Sequence, residues 1–511
     1  MNRRKNHNKI YKVGLTHLFL WIFFYLLSCP GALAQGIEAS DVKAAYKEIL
    51  KLRIEAGKEI LNAIKDKDRN SHFYYTNNLA DILELLITED RSLYREYEDH
   101  EDDHLRALKK LDDSDPYKLF YTADIKLQWA LVKLMFGDEF KAGWSLRSAL
   151  NSIEKNKKLF PDFQPNNKTL GVLHILFATV PDNYQWVMNI LGMRGDLGLG
   201  WEELNKINDQ SPFYFETEVI RSLVSVNIFS DNEGALNRLQ KLLGKNKDNL
   251  LANYIYNFVL IKESRSEDAI SNLKRLLYLS SDYLFIDHIY YLLAEVNMQK
   301  ANYELARLYY SKFLNHFKGK NYIKDAWYKV FLSFWIQQDI SMAKVHHEKA
   351  LSSGRVFVDA DRNAHGVLNQ DDYPSRIIMK IRLATDGGYF QLAEQMAHGL
   401  TDEDFSGKKD KTEFNYRLAR LKHKQQQSDE AIYYYLNAIK KAGKQNWYFA
   451  PNSCLNLGYI YKKQNDLVKA RHYFNKALSY KKHKYKAGID ARAKAALELL
   501  DIAGPQLPTK L

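Results

Sequence analysis

Cysteine and proline are scarce in this chain, whose 511 residues include two cysteines and ten prolines. Cys29 lies in an N-terminal segment that we expect to be removed, which leaves Cys454 alone and excludes an internal disulfide. Burial of apolar side chains must then stabilise the fold without the cross-links that many exported domains have. The prolines fall outside the helices predicted below from residue spacing, or in the first turn of those helices, where helical backbone tolerates them.

The sequence also lacks the alternation of apolar and polar residues that is typical of strands, so we predict an all-α fold. The apolar run Leu18–Leu27 is shorter than the ~20 residues that a membrane-spanning helix takes. A basic stretch precedes the run and small residues at Ala32–Ala34 follow it, which is the layout of a secretory signal. We expect residues 1–34 to be a signal peptide cleaved before Gln35, and the protein to be exported to the periplasm or cell envelope of a bacterium.

The sequence Leu-Leu-Ser-Cys at residues 26–29 offers an alternative, because it resembles the lipobox at which bacterial lipoproteins are lipidated. Lipidation of Cys29 would tether the chain to a membrane. Membrane association is expected only in that case.

Charge is divided unevenly along the chain, whose formal net charge is +12. Residues 408–511 carry +14 and residues 1–34 carry +5, which leaves −7 for residues 35–407. A basic C-terminal part suits an acidic protein partner or an anionic surface. Nucleic acid is not expected as the partner of an exported chain.

Residues 451–484 contain the clearest internal pattern, in which small and aromatic residues recur at helical spacing. The residues of this pattern are Leu457, Gly458, Tyr461, Ala470, Phe474 and Ala477. Small residues at Gly458 and Ala470 would let two antiparallel helices approach closely, while the larger side chains fill the space around the contact. Asn465 and Asp466 would form the turn between the helices.

Comparable small residues recur along the chain, mostly about one helix-turn-helix unit apart. They are Ala142, Gly200, Ala235, Ala269, Ala306, Ala343, Ala393, Ala431 and Ala470. The long intervals before Gly200 and before Ala393 predict inserts. The spacing as a whole predicts a right-handed superhelix of stacked antiparallel hairpins, which is an α-solenoid.

This pattern resembles the tetratricopeptide repeat (TPR) superfamily over residues 142–484. Four short segments are similar to a group of exported bacterial tetratricopeptide proteins: Pro161–Phe163, Lys168–Gly171, Pro181–Trp186 and Leu191–Gly195. The resemblance implies a TPR-type α-solenoid, a cell-envelope location and partner binding. It supplies no active site that could be transferred to this chain.

The expected division of the chain follows from the repeat positions. We predict a signal peptide at 1–34, an N-terminal helical cap of three or four helices at 35–118, divergent TPR-like hairpins at 119–215, TPR-like repeats at 216–350, an insert loop at 351–373, TPR repeats at 374–484, and a C-terminal capping helix and tail at 485–511.

Aromatic side chains are the strongest candidates for partner binding. Tyr254, Tyr291 and Tyr328 recur every 37 residues at the fifth position of their repeats, and Tyr416 holds the same position later. In a tetratricopeptide array this position faces the concave groove, and Phe258 and Trp335 lie on the same predicted face. Such a row suits a protein or peptide partner, or a glycan. The alternative is that these tyrosines pack between repeats.

An H-E-x-x-H sequence, formed by His100, Glu101 and His104, would suit zinc and a general base on a helix. Acidic neighbours crowd it, and no His or Glu lies between Leu105 and Asp138 to complete the usual ligand set. A solvated helix face is the favoured interpretation, weak non-specific binding of divalent cations is an alternative, and a zinc metalloenzyme is the least favoured of the functions considered.

Two further features are interpreted as structural. Asp359 and Asp361 have calcium-loop spacing, but Ala364 stands where such a loop requires Gly, so a linking loop is favoured. Cys454 is expected to be a buried, unreactive thiol. We therefore assign no catalytic residue, no metal ligand and no cofactor.

Together these observations predict a non-enzymatic exported TPR scaffold that binds a protein or peptide of the cell envelope along its concave face. The alternative is a carbohydrate-binding or cell-wall-binding module that uses the same aromatic side chains.

Overall fold

The computed structural model describes residues 40–65, 69–180, 188–189, 192–279, 281–370 and 373–502. The predicted signal peptide, Cys29, the Pro181–Trp186 segment and the C-terminal tail lie outside these residues. Within them the chain is helical and contains no strand, so the all-α prediction is confirmed. No described helix has the length and hydrophobicity needed to cross a membrane.

In the part of the chain that the structure describes, five helices precede the repeats, where three or four were expected. They are α1 (Ser40–Leu50), α2 (Ile54–Asn62), α3 (Ser71–Thr88), α4 (Arg91–Glu96) and α5 (His100–Lys109). Their apolar side chains, from Val42 to Leu108, join the core of the following hairpins.

Among the described residues nine antiparallel hairpins follow, and the two helices of each pack against one another. The pairs are α6 (Pro116–Phe136) with α7 (Glu139–Leu159), α8 (Asn166–Ala178) with α9 (Leu197–Asn205), α10 (Tyr214–Val224) with α11 (Asn232–Lys245), α12 (Leu250–Lys262) with α13 (Ser266–Leu276), α14 (His288–Gln299) with α15 (Tyr303–His316), α16 (Ile323–Ile336) with α17 (Ile340–Ser352), α19 (Arg376–Gly387) with α20 (Phe390–Ala397), α21 (Lys408–Lys424) with α22 (Ser428–Ala442), and α23 (Phe449–Lys463) with α24 (Leu467–Ser479). The insert α18 (Asp359–Leu368) and the last helix α25 (Lys486–Ile502) complete the described chain.

The small residues identified from spacing are the contact points of these hairpins. Each lies on the second helix of its pair and is buried. Gly458 shows why the opposite position must also be small, since a Cβ there would stand 2.4 Å from the Phe474 ring. Gly200 has a similar reason, because a Cβ would stand 2.6 Å from the Gly171 carbonyl oxygen and α8 would be pushed away from α9.

Most hairpin turns share one backbone feature, a left-handed residue at the second position after the first helix. Ser264, Ala301, Gln338, Gln426 and Asn465 have φ between 61° and 66°. The next N–H then bonds the carbonyl five residues back, at 2.8–3.0 Å, as in a Schellman motif. The repeated geometry gives these hairpins the same tight turn.

The segment 351–373 was expected to be an insert loop, but it contains the helix α18. Asp361 on this helix is buried and accepts hydrogen bonds from the backbone N–H groups of Tyr322 (2.8 Å) and Asp325 (2.9 Å). The carboxylate therefore satisfies free N–H groups at the start of α16. Asp359 pairs with Arg362, so the two aspartates do not face a common ion.

The N-terminal helices run along the edge of the array where the loops between hairpins lie. Leu50 O accepts from the Asn249 amide (3.0 Å), and Leu52 O accepts from Leu284 N–H (2.7 Å). Further along, the Glu89 carboxylate accepts from the Asn321 amide at 2.8 Å. The first helices thus tie successive hairpins together, beyond covering the end of the array.

A buried ion cluster joins the N-terminal helices to the first hairpins. Lys168 on α8 is 1% exposed, and its Nζ lies 2.8 Å from Asp124 Oδ2 on α6 and in contact with Glu216 on α10. Tyr75 on α3 donates to the same Asp124 oxygen at 3.0 Å. Although burial opposes the charged form, the two carboxylates raise the pKa of Lys168. The ammonium therefore neutralises charges from two other helices.

Replacement of Lys168 by Met should destabilise the fold by about 3–5 kcal/mol, because it leaves Asp124 and Glu216 buried without a counter-charge. Chemical denaturation of the wild type and the variant measures the loss. The double variant Lys168→Met, Glu216→Gln removes one of the two stranded charges and should recover part of it. Equal stability of wild type and K168M would contradict this account.

A buried histidine makes the stability of the middle hairpins depend on pH. His288 at the start of α14 packs against the rings of Phe313, Phe317 and Tyr322, with centroids 4.7–5.1 Å away. Burial lowers its pKa to about 3. The neutral ring is therefore retained at pH values where an exposed histidine is charged.

The unfolded chain binds a proton at His288 below its ordinary pKa of about 6.5, whereas the folded chain resists protonation down to about pH 3. The stability contributed by the neutral His288 ring is thus fully present above pH 6.5 and is lost as the pH falls. The loss amounts to about 2 kcal/mol at pH 5. Between pH 7.5 and pH 5, the free energy of unfolding should fall by about 2 kcal/mol less for His288→Phe than for the wild type. Parallel pH profiles of the two proteins would show that His288 does not titrate in this way.

Candidate functional site

The predicted row of tyrosines lies inside the protein. Tyr254, Tyr291, Tyr328 and Tyr416 lie on the first helices of their hairpins and are 3%, 6%, 7% and 2% exposed. Their expected placement on an open concave surface is therefore corrected, and the alternative, that they pack between repeats, describes what is observed. Neither a peptide nor a glycan could reach these rings without displacing protein.

The tyrosines are covered by the chain itself. Helix α19 packs against α12, α14 and α16, the three first helices that carry Tyr254, Tyr291 and Tyr328. Met379 and Leu383 on α19 pack against the same apolar core as these tyrosines. The sequence pattern of a single hairpin contains no sign of this contact, because it joins segments more than 40 residues apart.

Polar contacts fix Tyr291 in its interior position. Its hydroxyl donates to Asp325 and accepts from Lys329 Nζ at 3.0 Å. The Lys329 ammonium also pairs with Asp325 (3.0 Å) and with Glu295. Burial and the nearby carboxylates raise the pKa of Tyr291 well above its ordinary value, so the hydroxyl keeps its proton.

The other two predicted residues, Phe258 and Trp335, are half-buried. Trp335 Nε1 donates to the Pro374 carbonyl at 2.9 Å, and the Arg376 guanidinium lies 3.6 Å above its ring. Trp335 thus holds the segment that leads into α19. Phe258 lies beneath the Lys262 ammonium, 5.4 Å from its ring centroid.

Charged side chains, which sequence reasoning did not select, cluster on the first helices α12, α16, α19 and α21. We call Lys262, Lys329, Arg382, Asp386, Arg417, Arg420 and Lys424 the inner charged surface. Asp386 is 35% exposed, and its two oxygens each lie 3.5 Å from a guanidinium nitrogen, of Arg382 on one side and Arg420 on the other. Both arginines are also partly exposed, so the group is accessible to solvent.

Positive charge dominates around Asp386. Desolvation acts to raise its pKa, but Arg420, Arg382, Arg417 and Lys424 outweigh desolvation and lower it. One carboxylate therefore faces four cations. Arg417 and Lys424 have further acidic partners in Glu413 and Glu263, the latter 3.3 Å from Lys424 Nζ.

Lys262 is the cation of this surface that makes no ion pair within the described chain. Its side chain reaches solvent, yet desolvation by surrounding atoms, together with repulsion from Lys329, lowers its pKa. The ammonium is therefore exposed on one side and surrounded by protein atoms on the others. An anionic group that approaches it from solvent would gain a charge-assisted hydrogen bond.

The side chains of the H-E-x-x-H sequence contact other side chains of the protein. His100 Nδ1 lies 2.8 Å from Asp81, while His104 is buried and its Nε2 accepts from the Asn77 amide at 3.2 Å. Glu101 is paired with Lys133. The favoured solvated-helix interpretation was wrong for His104. Nowhere in the described chain do three His, Cys, Asp or Glu side chains converge as metal ligands.

Cys454 on α23 is buried, as expected, and burial raises the pKa of its thiol to about 12. The thiol therefore remains protonated and unreactive at neutral pH.

The family model of the tetratricopeptide repeat matches residues 451–484. The apo form of the quorum sensor NprR from B. thuringiensis is 13% identical, with 86% of this chain and 98% of that chain covered and a TM-score of 0.27. The APC/C hetero-tetramer Cut9-Hcn1 is 11% identical (88% and 95% covered, TM-score 0.30). A monomeric mutant of IFIT1 with Gppp-AAAA is 13% identical (89% and 98% covered, TM-score 0.32).

No curated protein matches the sequence. The matched residues are those of the hairpin formed by α23 and α24, on which the sequence pattern was clearest. The described part of the chain is an all-α array of helical hairpins, and the hairpin formed by α23 and α24 matches the tetratricopeptide repeat.

Proposed function

We propose that this protein is a non-enzymatic scaffold that binds a segment of another protein on its inner charged surface. The observation that carries the proposal is Lys262, a solvent-reached ammonium without an ion pair in the described chain, beside a cluster in which four cations surround Asp386. Tetratricopeptide arrays are interaction modules whose concave faces bind partners, which supports a protein or peptide ligand.

The partner segment would carry carboxylates. Electrostatic complementarity contributes to specificity and to the rate of association more than to affinity, so an acidic segment would be selected among neutral ones. Phe258 adds an apolar contact beside Lys262. Of the residues chosen from the sequence, Phe258 is the one retained in this interface.

The proposal includes export to the cell envelope. Its support is the N-terminal sequence, with a basic stretch, the apolar run Leu18–Leu27 and small residues before Gln35. Mass spectrometry of the N-terminus of the protein purified from its native cells separates the two forms. A free end at Gln35 supports a secreted chain, a lipidated Cys29 supports a membrane-tethered one, and an intact Met1 contradicts export.

The carbohydrate-binding alternative relied on the row of tyrosines as sugar platforms. Because Tyr254, Tyr291, Tyr328 and Tyr416 are buried, that platform is not displayed. The aromatic row therefore gives no support to a glycan ligand on the concave face.

Charge reversal of the inner charged surface tests the proposal. The double variant Lys262→Glu, Arg420→Glu should lose the partner that the wild type retains from a solubilised envelope fraction, with recovery reduced by about tenfold or more. The matched control Lys481→Glu, Lys482→Glu makes the same change of charge at exposed positions outside the inner surface and should retain the partner. Equal recovery by both double variants would reject the inner surface as the interface.

A further inference from the structure

A cleft between α21 and α22 carries a second group of cations. The cleft has a volume of about 500 Å³ and lies between the start of α21, the second half of α22 and the turn at Asp402–Asp404. Four lysines line it: Lys408, Lys411, Lys440 and Lys441. We call it the lysine cleft. Its volume is in the range of pockets that hold small-molecule ligands.

The acidic neighbours of the lysine cleft neutralise only part of this charge. Lys441 pairs with Asp402, and Lys411 pairs with Glu403 at 2.9 Å. Lys408 and Lys440 are exposed, and neither makes an ion pair within the described part of the chain. Two ammonium groups thus remain available on opposite sides of the cleft, one on α21 and one on α22.

Helix stability accounts for the positions of only two of these four lysines. Lys440 and Lys441 lie in the last turn of α22, where the helix macrodipole favours cations. Lys408 and Lys411 lie in the first turn of α21, where the macrodipole disfavours them. Their position lowers the stability of α21 and concentrates positive charge at the cleft, which suits a bound anion.

Two uncharged side chains, Tyr433 and Asn437, also line the lysine cleft and offer a ring surface and an amide to a ligand. Tyr433, Asn437 and Lys440 follow one another at helical spacing on the same face of α22. The Tyr433 ring is 61% exposed. The Asn437 amide has no hydrogen-bond partner within the described chain, so it is free to bond a ligand hydroxyl.

We propose that the lysine cleft binds a polysaccharide segment that carries carboxylates. The C–H face of a pyranose ring would pack on Tyr433, its hydroxyls would bond the Asn437 amide, and uronate carboxylates would pair with Lys408 and Lys440. An acidic peptide has the same charges but not the stacking ring with hydroxyls, so the sugar uses the whole set of groups. This site is separate from the inner charged surface and is independent of the protein partner proposed above.

Calorimetric titration of the purified chain with hexagalacturonate tests the proposal, with neutral maltohexaose and hexaglutamate as comparison ligands. The wild type should bind hexagalacturonate, with an affinity that falls as salt rises, and should bind each of the others at least about tenfold more weakly. Lys408→Glu, Lys440→Glu should abolish binding of hexagalacturonate. Lys481→Glu, Lys482→Glu, with the same change of charge, should leave it unchanged.

Tyr433→Ala separates a sugar site from a site for any polyanion. It should weaken hexagalacturonate binding about tenfold and leave the residual binding of hexaglutamate unaffected. No binding of hexagalacturonate, or equal binding of both anions with no effect of Y433A, would overturn the proposal, the second outcome in favour of an acidic-peptide site. All substituted side chains are exposed, and thermal unfolding of each variant checks that it folds as the wild type does.

Discussion

The close contact of paired helices at buried small residues is the constraint on which this structure depends. Ala or Gly at the contact lets the second helix of each hairpin approach the first closely, and a Cβ at Gly200 or Gly458 would already stand within 2.6 Å of atoms of the opposite helix. The recurring left-handed turn residue and its backbone bond then fix the angle between the two helices. With the hairpin geometry set, consecutive hairpins stack. Those up to α17 share one apolar core, while the hairpins from α19 to α24 pack around smaller separate clusters.

Stacking alone would leave an open groove, yet here the groove of the middle hairpins is filled. Helix α19 enters it and buries the tyrosines that an open tetratricopeptide groove would display. The N-terminal helices bond to loops between successive hairpins, and α25 contacts the π-helical segment Ser225–Phe229 that follows α10. The array is therefore closed on itself, and its remaining inner face is charged.

The sequence was sufficient for the repeating parts of the fold, because each hairpin is specified by local spacing. Gly458 on one helix and Ala470 and Phe474 on the next identify a helix pair by their spacing alone, without reference to the rest of the chain. It was not sufficient for contacts between distant segments. The packing of α19 on α14, the Lys168 ion cluster and the position of Asp361 all join residues that are far apart in the chain.

The candidate site shows the same division. The face on which Tyr254, Tyr291 and Tyr328 lie follows from their helical positions, but its exposure depends on a helix more than 40 residues beyond Tyr328. Arg382 and Asp386 could have been noticed as a charged pair at i, i+4 on α19, although nothing local indicates that Arg420 and Lys262 meet them. Charge alone in a sequence does not distinguish an inner surface from a solvated helix face.

The most direct test of this account is the rate at which individual tyrosines are nitrated in the folded protein, followed by peptide mass spectrometry. Tyr278 and Tyr433, which are 86% and 61% exposed, should react readily. Tyr254, Tyr291, Tyr328 and Tyr416 should remain protected until the protein is unfolded, because the interior of the chain covers them. Reaction of these four tyrosines as fast as Tyr278 would show that the concave face is open, which contradicts the account.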